Sequence, residues 1–176
     1  MELARKNRKP RKQRLSLLLD VSGSMDKYSF FLLRFMCILQ SHFEFVEAFI
    51  FSTKLIRITD SIQSPHLKEN LKQLSREADN WSSGTTIGQC FMDFNQRFAK
   101  KLLNGSSTVI ILSDGLDTGD TTVLADEVRK IRLRTRQLIW LNPLKGNPQF
   151  QPIQRGMKAA LPEVDIFRSA HNLQSL

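Results

Sequence analysis

The chain has 176 residues, 41% apolar and 24% charged, which suits one globular domain with a real core and is short for two. No apolar run approaches the roughly 18–20 residues of a membrane-spanning helix, and Leu15–Leu19 before Asp20 falls short of the roughly 7–15 apolar residues of a signal-peptide core, so a cytoplasmic location is expected. The net charge of +9 is uneven: residues 1–14 carry seven Lys/Arg against Glu2, leaving only +3 on the other 162 residues, so the basic character belongs to an arm and the near-neutral body speaks against a nucleic-acid binder.

Residues 1–14 offer no apolar face and read as a basic flexible arm; residues 15–176 form the domain. Leu15-Ser-Leu-Leu-Leu19 is the short apolar run of a strand buried on both faces. Tyr28, Phe31, Leu32, Phe35, Met36 and Leu39 follow a helical period. Residues 45–51 (FVEAFIF) predict a second strand, and residues 55–58 a short third, hairpin-linked through Ser52-Thr53-Lys54. Pro65 opens a polar helix with Leu67, Leu71 and Leu74 on one face.

Residues 79–86 (DNWSSGTT) are loop, and the helix after them presents Ile87, Phe91, Phe94, Phe98 and Leu102 as one stripe until Asn104-Gly105 ends it. Residues 108–112 (TVIIL) predict a buried strand. Thr121 is placed as the cap of a helix over 122–134, and residues 137–141 as a fifth strand. A loop marked by Pro143, Gly146 and Pro148, a short helix around 152–160 and a strand at 164–167 complete the pass. Strands alternating with helices predict an α/β fold: a doubly wound, mainly parallel sheet covered by helices on both faces. In such a sheet ligands bind beyond the carboxyl ends of the strands, where strand order reverses.

Small oxygen-bearing residues gather at that edge. They are Asp20-Val-Ser22-Gly-Ser24 after the first strand, Ser83-Gly84-Thr85-Thr86 before the central helix, and Ser113-Asp114-Gly115 after the TVIIL strand. Cys37 and Cys90 are far apart, and His42, His66 and His171 are scattered, which excludes a zinc ribbon or a disulfide scaffold. Two carboxylates with hydroxyls, and neither thiol nor imidazole, suit a hard divalent cation such as Mg²⁺ or Mn²⁺. Two negative charges balance the ion and the hydroxyls add none, so it can accept one more carboxylate from outside.

The set Asp20-x-Ser22-x-Ser24, Thr85 and Asp114 resembles the metal-ion-dependent adhesion site of von Willebrand factor A domains. The resemblance implies strand order 3-2-1-4-5-6 with one antiparallel edge strand. It also implies metal ligation by Ser22 and Ser24 directly, by Asp20 and Asp114 largely through water, and by Thr85 directly or through water. Thr86 is the competing choice for the threonine, with Thr85 matching the pattern. A narrower resemblance is to CoxE-like proteins, carried by DVSGSM (20–25), FLLRF (31–35), DNWSSGTTIG (79–88), ILSDG (111–115), WLNPLKGNP (140–148) and HNL (171–173). CoxE-like proteins usually carry a longer region ahead of the domain, and the resemblance says nothing of functions housed there. It implies a non-enzymatic interaction module whose partner is a MoxR-type AAA+ ATPase or that ATPase's client, and a role in maturing an enzyme such as carbon monoxide dehydrogenase.

Trp81, Asn142 and His171 are the candidate partner contacts around this edge. Asp117 and Asp120 read as solvated turn residues and a cap for the next helix, and Cys37 and Cys90 as core thiols. Two other functions compete. A Mg²⁺-dependent phosphohydrolase could use Asp20 as nucleophile, but the position of its general acid is Ser22. RNA binding could use the basic arm, which also reads as a solvated extension or as a contact for an acidic partner.

Overall fold

The apolar runs become the strands of one sheet. The structure, a computed structural model, describes residues 13–25, 28, 34–39, 41, 43–62, 84–146 and 154–170. Its strands are β1 (Arg14–Asp20), β2 (Phe45–Phe51), β3 (Leu55–Arg57), β4 (Ser107–Leu112), β5 (Gln137–Asn142) and β6 (Ile166–Ser169). They lie in the order 3-2-1-4-5-6. All neighbours run parallel except β3, which returns antiparallel to β2. The expected mainly parallel sheet with one antiparallel edge strand is therefore present. Strand order reverses between β1 and β4, which carry Asp20 at the end of one and Asp114 just past the end of the other.

The helical segments are α1 (34–39), α2 (Thr59–Ile62), α3 (Ile87–Phe94), α4 (Thr121–Arg134) and α5 (Arg155–Ala160). The helix predicted after Pro65 lies outside the described residues, as does part of the one predicted from Tyr28. Side chains alternate across the sheet with the period of two that pleating imposes. Leu18, Phe49, Phe51, Val109, Ile111, Leu138 and Trp140 face α3, α4 and α5. Leu15, Leu17, Leu19, Ala48, Ile50 and Leu112 pack on the other face against Met25, Met36, Ile58 and Ile62. The phenylalanines concentrate under α3: Phe49 meets Phe94 and Phe98, and Phe51 meets Phe91, with centroids 4.9–5.3 Å apart in edge-on geometry.

Three details differ from the sequence reading. Arg14, assigned to the arm, is the first residue of β1 and pairs with Phe45 and Ser107. The last strand lies two residues later than expected. The cap of α4 is Asp120, whose Oδ1 accepts from the Thr122 N–H at 2.8 Å, while Thr121 is already helical.

The stripe on α3 also shifts. After Phe94 the helix widens into a π turn over Asn95–Ala99 before Lys100–Leu102. The wider turn delays the rotation of the chain, so Asn95, Ala99 and Leu103 are buried while Phe98 and Leu102 are only partly so. Asn95 is held there by the buried Glu127 of α4: its Nδ2 donates to the Glu127 carboxylate at 2.8 Å and carbonyl at 3.0 Å. No helix among the described residues is long and apolar enough to cross a membrane.

Candidate functional site

At the carboxyl end of β1, Asp20 is fully buried. Its Oδ1 accepts from the Ser22 N–H at 2.9 Å, and its Oδ2 accepts from the Ser113 hydroxyl at 2.6 Å. Ser113 is the residue after β4, so this bond joins the ends of the two strands at the reversal point. The Ser113 hydroxyl in turn accepts from the Gly115 N–H at 3.0 Å. The sequence places Ser113 among the oxygen-bearing residues of this edge; its pairing with Asp20 follows only from the strand order.

Burial pushes the Asp20 carboxyl up from its ordinary 3.8 to about 7, opposed by the hydrogen bonds from Ser113 and Ser22 and assisted slightly by the charge of Asp114. Such a carboxyl gains when a cation is placed near it.

Ser22 is buried and Ser24 exposed, and their hydroxyl oxygens lie 3.2 Å apart. Adjacent ligands of an octahedral ion with metal–oxygen bonds of about 2.1 Å stand about 3 Å apart, so this pair matches two neighbouring positions.

Asp114 is buried at the start of the loop after β4. Its Oδ1 accepts from the Leu116 N–H at 2.9 Å. Its Oδ2 is buried and has no hydrogen-bond partner among the described residues. A buried carboxylate oxygen without a donor is expensive, and a cation or its water shell would relieve it. The residues present therefore fit a hard divalent ion. No three His, Cys, Asp or Glu side chains form a metal-holding group among the described residues, so two carboxylates and hydroxyls are what this edge offers.

Thr85 is buried in the loop before α3, and its carbonyl accepts from both the N–H and the hydroxyl of Thr118, each at 2.9 Å. Thr85 is thereby tied to the loop that carries Asp114. Thr86 turns toward β2 instead: its N–H donates to the Ser52 carbonyl at 3.1 Å.

Asn142 corrects the sequence reading. It was expected among the partner contacts, yet it is fully buried at the end of β5. Its Nδ2 donates to the Asp114 carbonyl at 3.0 Å and its Oδ1 accepts from the Leu144 N–H at 2.8 Å. It positions the Asp114 loop from below. Trp140 does the same one step earlier, donating from Nε1 to the Ser113 carbonyl at 2.9 Å. Trp81 and His171, the other two contact candidates, lie outside the described residues. Asp117 is not a solvated turn residue either: it is half-buried, and its Oδ1 accepts from the Ile87 N–H at 2.9 Å and the Gly119 N–H at 3.2 Å.

Cys90 is buried on the core face of α3, its thiol pushed up to about 12 chiefly by desolvation. It is a core thiol, as expected.

Solved structures share this architecture at low identity. An aerotolerance-related membrane protein from Bacteroides fragilis superimposes with a TM-score of 0.59 at 15% identity, over 91% of this chain and 92% of that one. Proximal thread matrix protein 1 from the mussel byssus, with a zinc-occupied MIDAS motif, gives 0.55 at 16% identity, over 92% of this chain and 43% of that one. At these identities the likeness is one of fold. No curated protein matches the sequence. The family described as VWA domain containing CoxE-like protein matches residues 1–176. The strand order, the antiparallel edge and this match over the whole length agree: the chain belongs to the CoxE-like family of von Willebrand factor A domain proteins.

Proposed function

We propose that the domain is a metal-dependent protein-interaction module, in which a divalent cation held at the β1–β4 edge grips an acidic residue of a partner. Asp20, Ser22, Ser24, Thr85 and Asp114 are the metal set, and Mg²⁺ or Mn²⁺ is the ion. The observation that carries this reading is the unpartnered, buried Asp114 Oδ2 beside a β1 loop whose paired serine hydroxyls have the spacing of neighbouring ligands. When bound, the ion supplies Lewis acidity and positive charge at the surface. The protein's own residues do the rest. Ser113 and the Ser22 amide hold Asp20 still, and Asn142 fixes the Asp114 backbone.

The reading is non-enzymatic. A phosphoryl-accepting Asp20 would want a carboxylate general acid two residues on, where Ser22 stands, and Asp20 is fully buried. Family membership supports a MoxR-type AAA+ ATPase, or that ATPase's client, as the partner. The process would be maturation of an enzyme of the carbon monoxide dehydrogenase type, in the cytoplasm. The test is a pull-down with a MoxR-type ATPase from the same organism, in Mg²⁺ and in EDTA. Capture in Mg²⁺ that is lost in EDTA and in Asp114→Ala is expected. Equal capture in EDTA would move the docking surface away from this edge.

A further inference from the structure

Two loops that share no strand are locked together beside this site, and the lock is built from residues outside the metal set. The first loop carries Thr85 and opens α3 at Ile87; the second carries Asp114 and leads toward α4. Three hydrogen bonds cross between them. The Thr118 N–H and hydroxyl both reach the Thr85 carbonyl at 2.9 Å, and Asp117 Oδ1 receives the Ile87 N–H at 2.9 Å. Asp117 thus supplies from another loop the capping acceptor that α3 lacks locally, since Thr86 at its N-cap makes no side-chain cap bond.

The packing around these residues is equally specific. Gly84 has φ +108, and a Cβ there would stand 3.0 Å from the Thr118 side chain. A Cβ on Gly156 of α5 would stand 2.8 Å from the Asp117 Cβ and 2.8 Å from the Gly115 carbonyl oxygen. Two glycines therefore make the room in which the lock closes. At its other end the Asp114 loop is bolted to β5 through Asn142 and Trp140.

We infer that Asp117 and Thr118 are positioning residues, which set Thr85 against Asp114 before any ion arrives. The inference rests on the reading of Thr85 and Asp114 as ligands. Its physical reason is preorganisation: a hard ion demands near-octahedral geometry, and a ligand loop left to wander must be ordered at the expense of affinity. The Thr85 carbonyl is already occupied twice, which leaves its hydroxyl as the group offered to the ion. What Asp117 contributes to the lock is the acceptor Oδ1; its Oδ2 is buried without a partner among the described residues, as that of Asp114 is, so the asparagine variant separates the acceptor from the charge.

The experiment uses the full chain with Mn²⁺ as probe, read by calorimetry, and metal-free amide hydrogen exchange over residues 84–90 and 116–119. Asp117→Ala should weaken Mn²⁺ binding by about ten- to a hundredfold, the usual effect of losing a group that orients a ligand, and should speed exchange at Ile87. Asp117→Asn keeps the acceptor and should restore binding to within about threefold. Thr118→Val should weaken binding, and Thr118→Ser should restore it. Mn²⁺ affinity unchanged in Asp117→Ala would overturn the inference. So would Asp117→Asn as weak as Asp117→Ala, because the carboxylate would then act through its charge. If the wild-type chain bound no Mn²⁺, the metal reading itself would fall. Exchange would then judge the lock separately: faster at Ile87 in Asp117→Ala supports it, unchanged exchange overturns it.

Discussion

The Ser113 hydroxyl donates to Oδ2 of Asp20 at 2.6 Å, one residue beyond the point where β1 and β4 stop pairing. This bond closes the sheet edge on which the candidate site stands. It also gives each Asp20 oxygen a hydrogen bond, so its part at the site is to hold the β1 loop and supply charge beside the buried Ser22 and the exposed Ser24.

Removing those two hydroxyls should abolish metal binding and spare the fold. Ser24 is exposed and the Ser22 hydroxyl bonds its near neighbours Ser24 and Asp20, so Ser22→Ala with Ser24→Ala opens no core cavity. Calorimetry should show Mg²⁺ or Mn²⁺ affinity lowered at least about a hundredfold, with an unchanged circular dichroism spectrum. Wild-type affinity in the double variant would remove both serines from the metal set.

Asp20→Asn should change how stability depends on pH in the absence of metal. The folded-state carboxyl titrates at about 7 against an ordinary 3.8. Its favourable contribution is therefore full below about pH 4 and is lost as pH rises through about 7. The wild-type domain should lose on the order of 1–4 kcal/mol from this group across that window; the asparagine variant should not. Urea unfolding in EDTA at about pH 5 and about pH 8 checks the sign. The variant should gain on the wild type at the higher pH, and a gap that does not move would show Asp20 to be comfortably ionised.

Gly88→Ala should destabilise the domain through a contact that side chains cannot relieve. The added Cβ would lie 2.9 Å from the Leu124 backbone nitrogen and 3.1 Å from its Cα, so α3 and α4 must move apart. A loss of about 1–3 kcal/mol is expected, read as a melting temperature lower by several degrees. An unchanged melting temperature would mean that the two helices are less closely seated.

Asn95→Ala should be costlier than its size suggests. It strips the donor from the buried Glu127 carboxylate and carbonyl and the acceptor from Arg134. Lys130 still reaches Glu127, which bounds the loss at about 2–4 kcal/mol. Equilibrium unfolding measures it. A loss below about 1 kcal/mol would show that water replaces the amide.

The sheet and the edge that carries the candidate site were legible because each rests on local pattern. Apolar runs mark strands buried on both faces, and small oxygen-bearing residues at their ends mark the edge. Helix phase was less legible. Phe98 and Leu102 fit an ideal stripe, but the π turn brings Ala99 and Leu103 inward instead, and Asn95 at its start is held by Glu127 on another helix. The roles of Ser113, Asn142 and Asp117 escaped for the same reason. Each acts across chain separations of 28 to 93 residues, and nothing in its neighbouring sequence announces the partner. Asn142 stands at the sheet edge as its place after the fifth strand implies, but it ends β5 inside the protein, so a place at the edge is not a place at the surface.

The wide turn at Asn95–Ala99 behaves as one surplus residue stored inside a helix. Deleting one of Gln96, Arg97 or Phe98 would leave an ordinary helix with Ala99 and Leu103 still on the sheet, whereas the same deletion in a regular helix would rotate everything after it by about 100°. Homologues whose lengths differ by one between the positions of Phe91 and Leu103 can keep the same core by gaining or losing this turn. A single-residue gap in an alignment there marks a change of helix type, and shifting it into the loop at Asn104-Gly105 would misalign every core position between.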